Sequence, residues 1–155
     1  FNIVELEKEV IRKSQVMLDE KQIEVQIDSP EQINVLADDF YIEQVVTNYI
    51  TNAIKHVKEK DGKKYIKVTN TVDVEKNIVR VKVFNTGDKI LEEHLARIWN
   101  RFYKVDESRN RAEGGTGIGL SLVKAIMNNY GNDYGVENRE NGVEFYFELD
   151  KEKKE

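Results

Sequence analysis

The amino-acid sequence predicts an α+β two-layer sandwich: a mixed, mostly antiparallel sheet packed on one face by about three helices. Three observations predict it. Short alternating segments occur in pairs joined by brief polar turns. Separate stretches carry apolar residues at helical spacing. The element order, α-β-β-α-β-β-(α)-loop-α-β-β, holds more hairpins than crossovers. At 155 residues the chain suits one domain, assigned to residues 1–150, with 151–155 expected to fray.

Ile3, Leu6, Val10 and Met17 recur at helical spacing, so a first helix is expected over residues 3–19. Ile23, Val25 and Ile27 alternate as a strand. Past Pro30, Ile33, Val35 and Leu36 suggest a second short strand. Residues 39–58 give the clearest helix, because Ile42, Val45, Val46, Tyr49, Ile50, Ala53, Ile54 and Val57 mark one apolar face. Asp38 or Asp39 suits its N-cap, and Lys60-Asp61-Gly62 closes it into a turn. Residues 64–72 and 78–84 form a hairpin around Glu75-Lys76-Asn77. A short helix over 91–99 precedes a polar loop, 100–116. Helical spacing resumes over 117–129 through Leu120, Val123, Ile126 and Met127. A last hairpin turns at Glu140-Asn141-Gly142.

Composition narrows the function classes. A net charge of −5 argues against an electrostatic nucleic-acid binder. With no cysteine there is neither a disulfide nor a thiolate metal site. No stretch approaches the roughly 20 apolar residues of a membrane span. The chain begins Phe1-Asn2-Ile3 without a signal-peptide pattern, and is read as a water-soluble piece of a longer protein.

Gly114-Gly115-Thr116-Gly117-Ile118-Gly119-Leu120 runs straight into the last helical segment. Glycines free backbone N–H groups to approach phosphate, and a helix N-terminus adds partial positive charge. The spacing G-x-G-x-G departs from the dinucleotide fingerprint G-x-G-x-x-G, and no Gly-Lys-Ser/Thr follows as a P-loop requires. On the helix at 39–58, Asn48, Asn52 and Lys55 make a polar stripe about 140° from the apolar face. Their carboxamide oxygens suit a hard cation such as Mg²⁺, and the lysine suits a phosphate. Taken alone, the stripe reads first as a solvated helix face, as most polar stripes do. Asn85-Thr86-Gly87 at a strand end fits either an ordinary turn or an amide aimed at a base edge. Arg101, Lys104, Arg109 and Arg111 in the polar loop fit a solvated loop or a cationic lid.

Together, Asn48-x-x-x-Asn52-Ala53-Ile54-Lys55-His56, Asn85-Thr86-Gly87, Arg101-Phe102-Tyr103-Lys104-Val105-Asp106 and Gly115-Thr116-Gly117-Ile118-Gly119-Leu120 resemble the N, G1, F and G2 boxes of the catalytic ATP-binding domain of bacterial sensor histidine kinases. The boxes stand in the family's order and span essentially the whole chain. The resemblance implies a Bergerat fold that binds Mg-ATP beneath a lid. It implies Asn52 as the Mg²⁺ ligand with Asn48 nearby. Lys55, Lys104, Gly115, Gly117, Gly119 and Leu120 would face the phosphates. His56, Asn85, Gly87, Ile90 and Thr116 would complete the ATP site. Two departures stand out: Asn85 replaces the usual aspartate and Lys89 the usual second glycine of D-x-G-x-G. A neutral acceptor implies a weaker bond to the adenine amine, by roughly 1 kcal/mol.

The resemblance further implies transfer of the γ-phosphoryl group to a histidine on a separate dimerisation hairpin. A response regulator would receive it afterwards. The isolated domain would be a monomer, and its parent a membrane-anchored homodimer with this domain in the cytoplasm. Neither His56 nor His94 suits the acceptor, and Asn48 stands where related ATPases carry a glutamate base. No general base is assigned. Two alternatives stay open: a degenerate nucleotide-binding relay module, and an ATPase or serine-kinase relative of the same fold.

Overall fold

Period-two alternation puts every second strand residue on one face, and the five strands turn that face to one layer of helices. The strands are β1 (Glu24–Asp28), β2 (Tyr65–Asp73), β3 (Ile78–Thr86), β4 (Tyr134–Arg139) and β5 (Gly142–Asp150). They lie in the order β1-β2-β3-β5-β4, with β1 parallel to β2 and the other pairs antiparallel. The computed structural model describes residues 1–103 and 119–153. The turns expected of both hairpins are present. Asn77 and Asn141 hold φ of 56° and 64°, a region asparagine tolerates better than most residues.

The helices are α1 (Ile3–Lys13), α2 (Gln15–Glu20), α3 (Asp39–His56), α4 (Glu92–Leu95) and α5 (Gly119–Tyr130). Helix α3 is the keystone, in contact with α1, α5 and β3. Its predicted apolar face is buried from Ile42 to Ile54. At its centre Tyr49 is fully buried among Trp99, Phe145 and Phe147, and its hydroxyl donates to the Tyr146 carbonyl at 2.9 Å. That bond satisfies the one polar atom such a core placement would otherwise strand. Asp38 caps α3 by accepting from the Phe40 N–H at 2.9 Å. Asp38→Ala is expected to cost about 1 kcal/mol, lowering Tm by roughly 2–4 °C in a calorimetric scan.

Three expectations need correction. The single helix over 3–19 is two helices, broken at Ser14. The Ser14 hydroxyl donates to the Val10 carbonyl at 3.0 Å, a local bond that competes with the helical ladder. The break moves the buried position from Met17, 42% exposed, to Leu18, 1% exposed. Ile33 and Val35 are buried as a strand face would be, yet this segment pairs only through isolated bridges, Asn2 with Asn34 and Val35 with Lys151. The amides of Lys151 and Glu152 donate to the carbonyls of Asn77 and Asn34, each at 2.9 Å. The short helix at 91–99 is also reduced to the four residues of α4.

Candidate nucleotide site

The polar stripe of α3 is half-buried rather than a solvated face. The Asn48 Nδ2 donates to the Gln44 carbonyl one turn earlier, at 2.8 Å, which turns its Oδ1 outward from α3. A Cβ at Gly119 would lie 2.8 Å from that Oδ1. The glycine run and the asparagine stripe, 71 positions apart in sequence, therefore meet at the first turn of α5. A side chain at 119 would force the Asn48 carboxamide to turn away. Among the described residues the Asn52 carboxamide has no hydrogen-bond partner, and Lys55 is half-buried one turn further on. Leu120 is half-buried and packs on the core from the start of α5.

The other end of α3 meets the end of β3. As the chain leaves the helix after the exposed His56, the Lys58 N–H donates to the Thr86 carbonyl at 2.8 Å. Gly87 has φ of +154°, and a Cβ there would stand 2.8 Å from the His56 carbonyl oxygen. Only glycine suits both constraints. Asn85 is 2% exposed. Its Nδ2 donates to the Thr86 carbonyl at 3.1 Å, which leaves Oδ1 as an acceptor among the described residues. Along the axis of α3, Asn48 and His56 are about 12 Å apart. Amide oxygens and a helix N-terminus thus stand at one end of a half-buried helix face, and the side-chain acceptor of the buried Asn85 stands at the other.

The loop from Gly87 to Leu91 is fixed on both flanks by residues that sequence reasoning missed. Asp88 accepts from the Nζ atoms of Lys58 and Lys60, each at 2.7 Å. Those hydrogen bonds hold its carboxyl down to about 2. On the opposite flank, Asn138 accepts from the Ile90 N–H at 2.9 Å and donates to the Ile90 carbonyl at 2.8 Å. Neither contact leaves a local sequence signal, because each joins segments far apart in the chain. Among the described residues, positive φ outside glycine is confined to Gln22, Asp61, Asn77, Phe102 and Asn141. Lys89 therefore sits in backbone that needs no glycine, and the loss of the second glycine introduces no strain. His94 is half-buried, with its Nδ1 hydrogen-bonded to the Tyr103 hydroxyl. Lys104, Gly115, Thr116 and Gly117 lie outside the described residues.

Among the described residues there is no group of three or more His, Asp and Glu side chains able to hold a metal. The oxygen donors at Asn48 and Asn52 are the hard, neutral kind that Mg²⁺ accepts beside substrate phosphates. Residues 37–153 match the family described as histidine kinase-, DNA gyrase B- and HSP90-like ATPases. The chain belongs to that family. The sensor histidine kinase CusS of Escherichia coli O157:H7 is 31% identical over 135 residues, covering 87% of this chain and 27% of that protein. The chain thus spans about a quarter of that relative's length. The catalytic domain of histidine kinase ThkA superposes with a TM-score of 0.84 at 34% identity, covering 97% of this chain and 93% of that one. Full-length ShkA in complex with AMPPNP superposes with a TM-score of 0.82 at 25% identity, covering 97% of this chain and 30% of that one. This is the fold of histidine kinase catalytic domains, a mixed sheet with its helices on one side.

Proposed function

We propose that this domain binds Mg-ATP and donates its γ-phosphoryl group to a histidine on a separate helical hairpin of a sensor kinase. The observation that carries the reading is the two-ended site along α3, with Gly119 against Asn48 at one end and Gly87 against the exit of the helix at the other. Asn85, His56, Gly87, Ile90 and Thr116 would receive the adenosine. Asn48, Lys55, Lys104, Gly115, Gly117, Gly119 and Leu120 would face the phosphates. The uncommitted carboxamide of Asn52 fits a Mg²⁺ ligand, with Asn48 beside it; when bound, the ion neutralises charge on the phosphate oxygens.

Transfer is a matter of positioning. A ring nitrogen of the acceptor histidine attacks the γ-phosphorus, the bond to the β–γ bridging oxygen breaks, and ADP leaves. The cations of Lys55 and Lys104 and the α5 amides would stabilise charge spread over the transferring oxygens. Asn48 has no basic site at neutral pH and so cannot itself activate water, which favours slow hydrolysis by the domain alone. The parent would be a membrane-anchored homodimer holding this domain on the cytoplasmic side, with a response regulator taking the phosphoryl group from the hairpin. Among the described residues no helix is long and apolar enough to cross a membrane.

Asn52→Ala tests the metal role. Calorimetry is expected to show Mg-ADP affinity falling at least about tenfold, with metal-free ADP affinity unchanged and Tm within about 2 °C of wild type. Equal losses with and without Mg²⁺ would remove Asn52 from the metal site. The decisive experiment adds [γ-³²P]ATP and the parent's hairpin. Label should appear on the hairpin histidine, whereas rapid steady ATP turnover without transfer would favour an ATPase instead.

A further inference from the structure

The geometry points to Asn138 as the positioning residue that sets the adenine-side loop of the nucleotide site, an inference that rests on the nucleotide reading above. The loop from Gly87 to Leu91 leaves β3 and enters α4 with no strand of its own. Its backbone groups must find partners elsewhere. A carboxamide carries the same donor and acceptor as a peptide unit, so Asn138 binds Ile90 as a neighbouring strand residue would, through both Ile90 N–H and Ile90 carbonyl. Asn138 lies on β4 opposite Val143, on the sheet face that meets the helices, and is half-buried.

The remaining ties on the loop are weaker or lie at its two ends, where the Leu91 carbonyl accepts from the His94 N–H at 2.8 Å. The Gly87 N–H donates to the Asn141 carbonyl at 2.9 Å, which fixes only the first residue. Asp88 pairs with Lys58 and Lys60 in the open, with the Asp88 side chain 58% exposed, so salt screens that tie. The Asn138 grip is uncharged and two-point, and salt leaves it intact. It also seats the Ile90 side chain, which is half-buried against the core. With the grip gone, the loop occupies its seated conformation only part of the time. The apparent Kd then rises by the inverse of that fraction.

The test measures Mg-ADP binding by calorimetry, and nucleotide-free Tm, for the 155-residue chain and four variants. Asn138→Ala and Asn138→Leu lose both bonds and are expected to raise Kd roughly tenfold. Asn138→Asp keeps the acceptor for the Ile90 N–H and loses the donor, so a smaller rise of about threefold is expected. Asn77→Ala disturbs the turn at the opposite end of β3, about 25 Å away along the strand, and controls for lost stability. It should lower Tm as much as Asn138→Ala and leave Kd unchanged. A merely structural staple would give equal Kd values for Asn77→Ala and Asn138→Ala, and that result overturns the inference. No Mg-ADP binding by the folded wild-type domain at millimolar nucleotide would instead overturn the nucleotide reading itself, and this inference with it.

Discussion

Glu7→Gln is expected to flatten the pH dependence of stability between about pH 5 and 7, and to stabilise the domain by roughly 3 kcal/mol at pH 8. Glu7 stands on the buried face of α1 with no solvent exposure. Its Oε1 accepts from the Asn70 Nδ2 at 2.7 Å, and the same Nδ2 donates to the Ser29 hydroxyl at 2.9 Å. Glu7 Oε2 and Asn70 Oδ1 are buried without partners among the described residues. Burial pushes the Glu7 carboxyl up from 4.5 to about 7, against the smaller opposing pull of the Asn70 hydrogen bond.

The sign follows from proton counting. Below about pH 4.5 both folded and unfolded chains hold the Glu7 proton, and ionisation exacts nothing. Between 4.5 and about 7 the folded chain holds the proton and the unfolded chain has lost it, so stability falls as pH rises. Above 7 the full penalty remains, since the folded chain must then bury a carboxylate with one partner. Glutamine keeps the acceptor for Asn70 and never ionises. Asp88 titrates near 2 and leaves this window undisturbed. Urea unfolding at a series of pH values decides the matter. Parallel curves for wild type and Glu7→Gln would show that Glu7 is not the titrating group.

Glu7 also marks the limit of what the sequence reveals. Its position on the i, i+3, i+4 face of α1 is legible, yet a glutamate there reads as a solvated residue, because its partner Asn70 is 63 positions away. The same holds across the molecule. Helix α3, both hairpins and their asparagine turns follow from periodicity and turn chemistry, which are local. The break at Ser14 does not, because one hydroxyl bonding back to Val10 shifts the phase of a helix whose apolar spacing otherwise looks continuous. At the site, the types of residue are readable: Asn48, Asn52, Asn85 and Gly87 carry recognisable chemistry at recognisable spacing. The contact of Gly119 with Asn48 is implied only by the motifs together. The grips of Asn138 on Ile90 and of Lys58 and Lys60 on Asp88 are set by the order of strands, which no local pattern encodes.

Gly142→Ala should be the most damaging small substitution near the site. In the register of β3 and β5, Gly142 stands opposite Thr86, and Asn85 stands opposite Val143. A Cβ at 142 would lie 2.1 Å from the Asn85 carbonyl oxygen and 2.7 Å from the Phe84 ring. A carbonyl in a strand cannot swing aside as a side chain can, so a loss of roughly 2–4 kcal/mol is expected in urea unfolding. Gly135→Ala makes the contrast. Its Cβ would meet the far end of the Tyr146 side chain, whose hydroxyl is 2.6 Å away, and that ring can turn off the Arg80 guanidinium 4.1 Å from its centroid. The Gly142 clash falls where β5 begins, beside the turn at Glu140-Asn141, so the least costly relaxation is to splay the ends of β3 and β5. That movement carries away Asn85 and breaks the bond from the Gly87 N–H to Asn141. Function should therefore be lost beyond what lost stability explains. At a temperature low enough for Gly142→Ala to be fully folded by circular dichroism, Mg-ADP binding should remain absent, and its return there would show that the strand ends tolerate the methyl group.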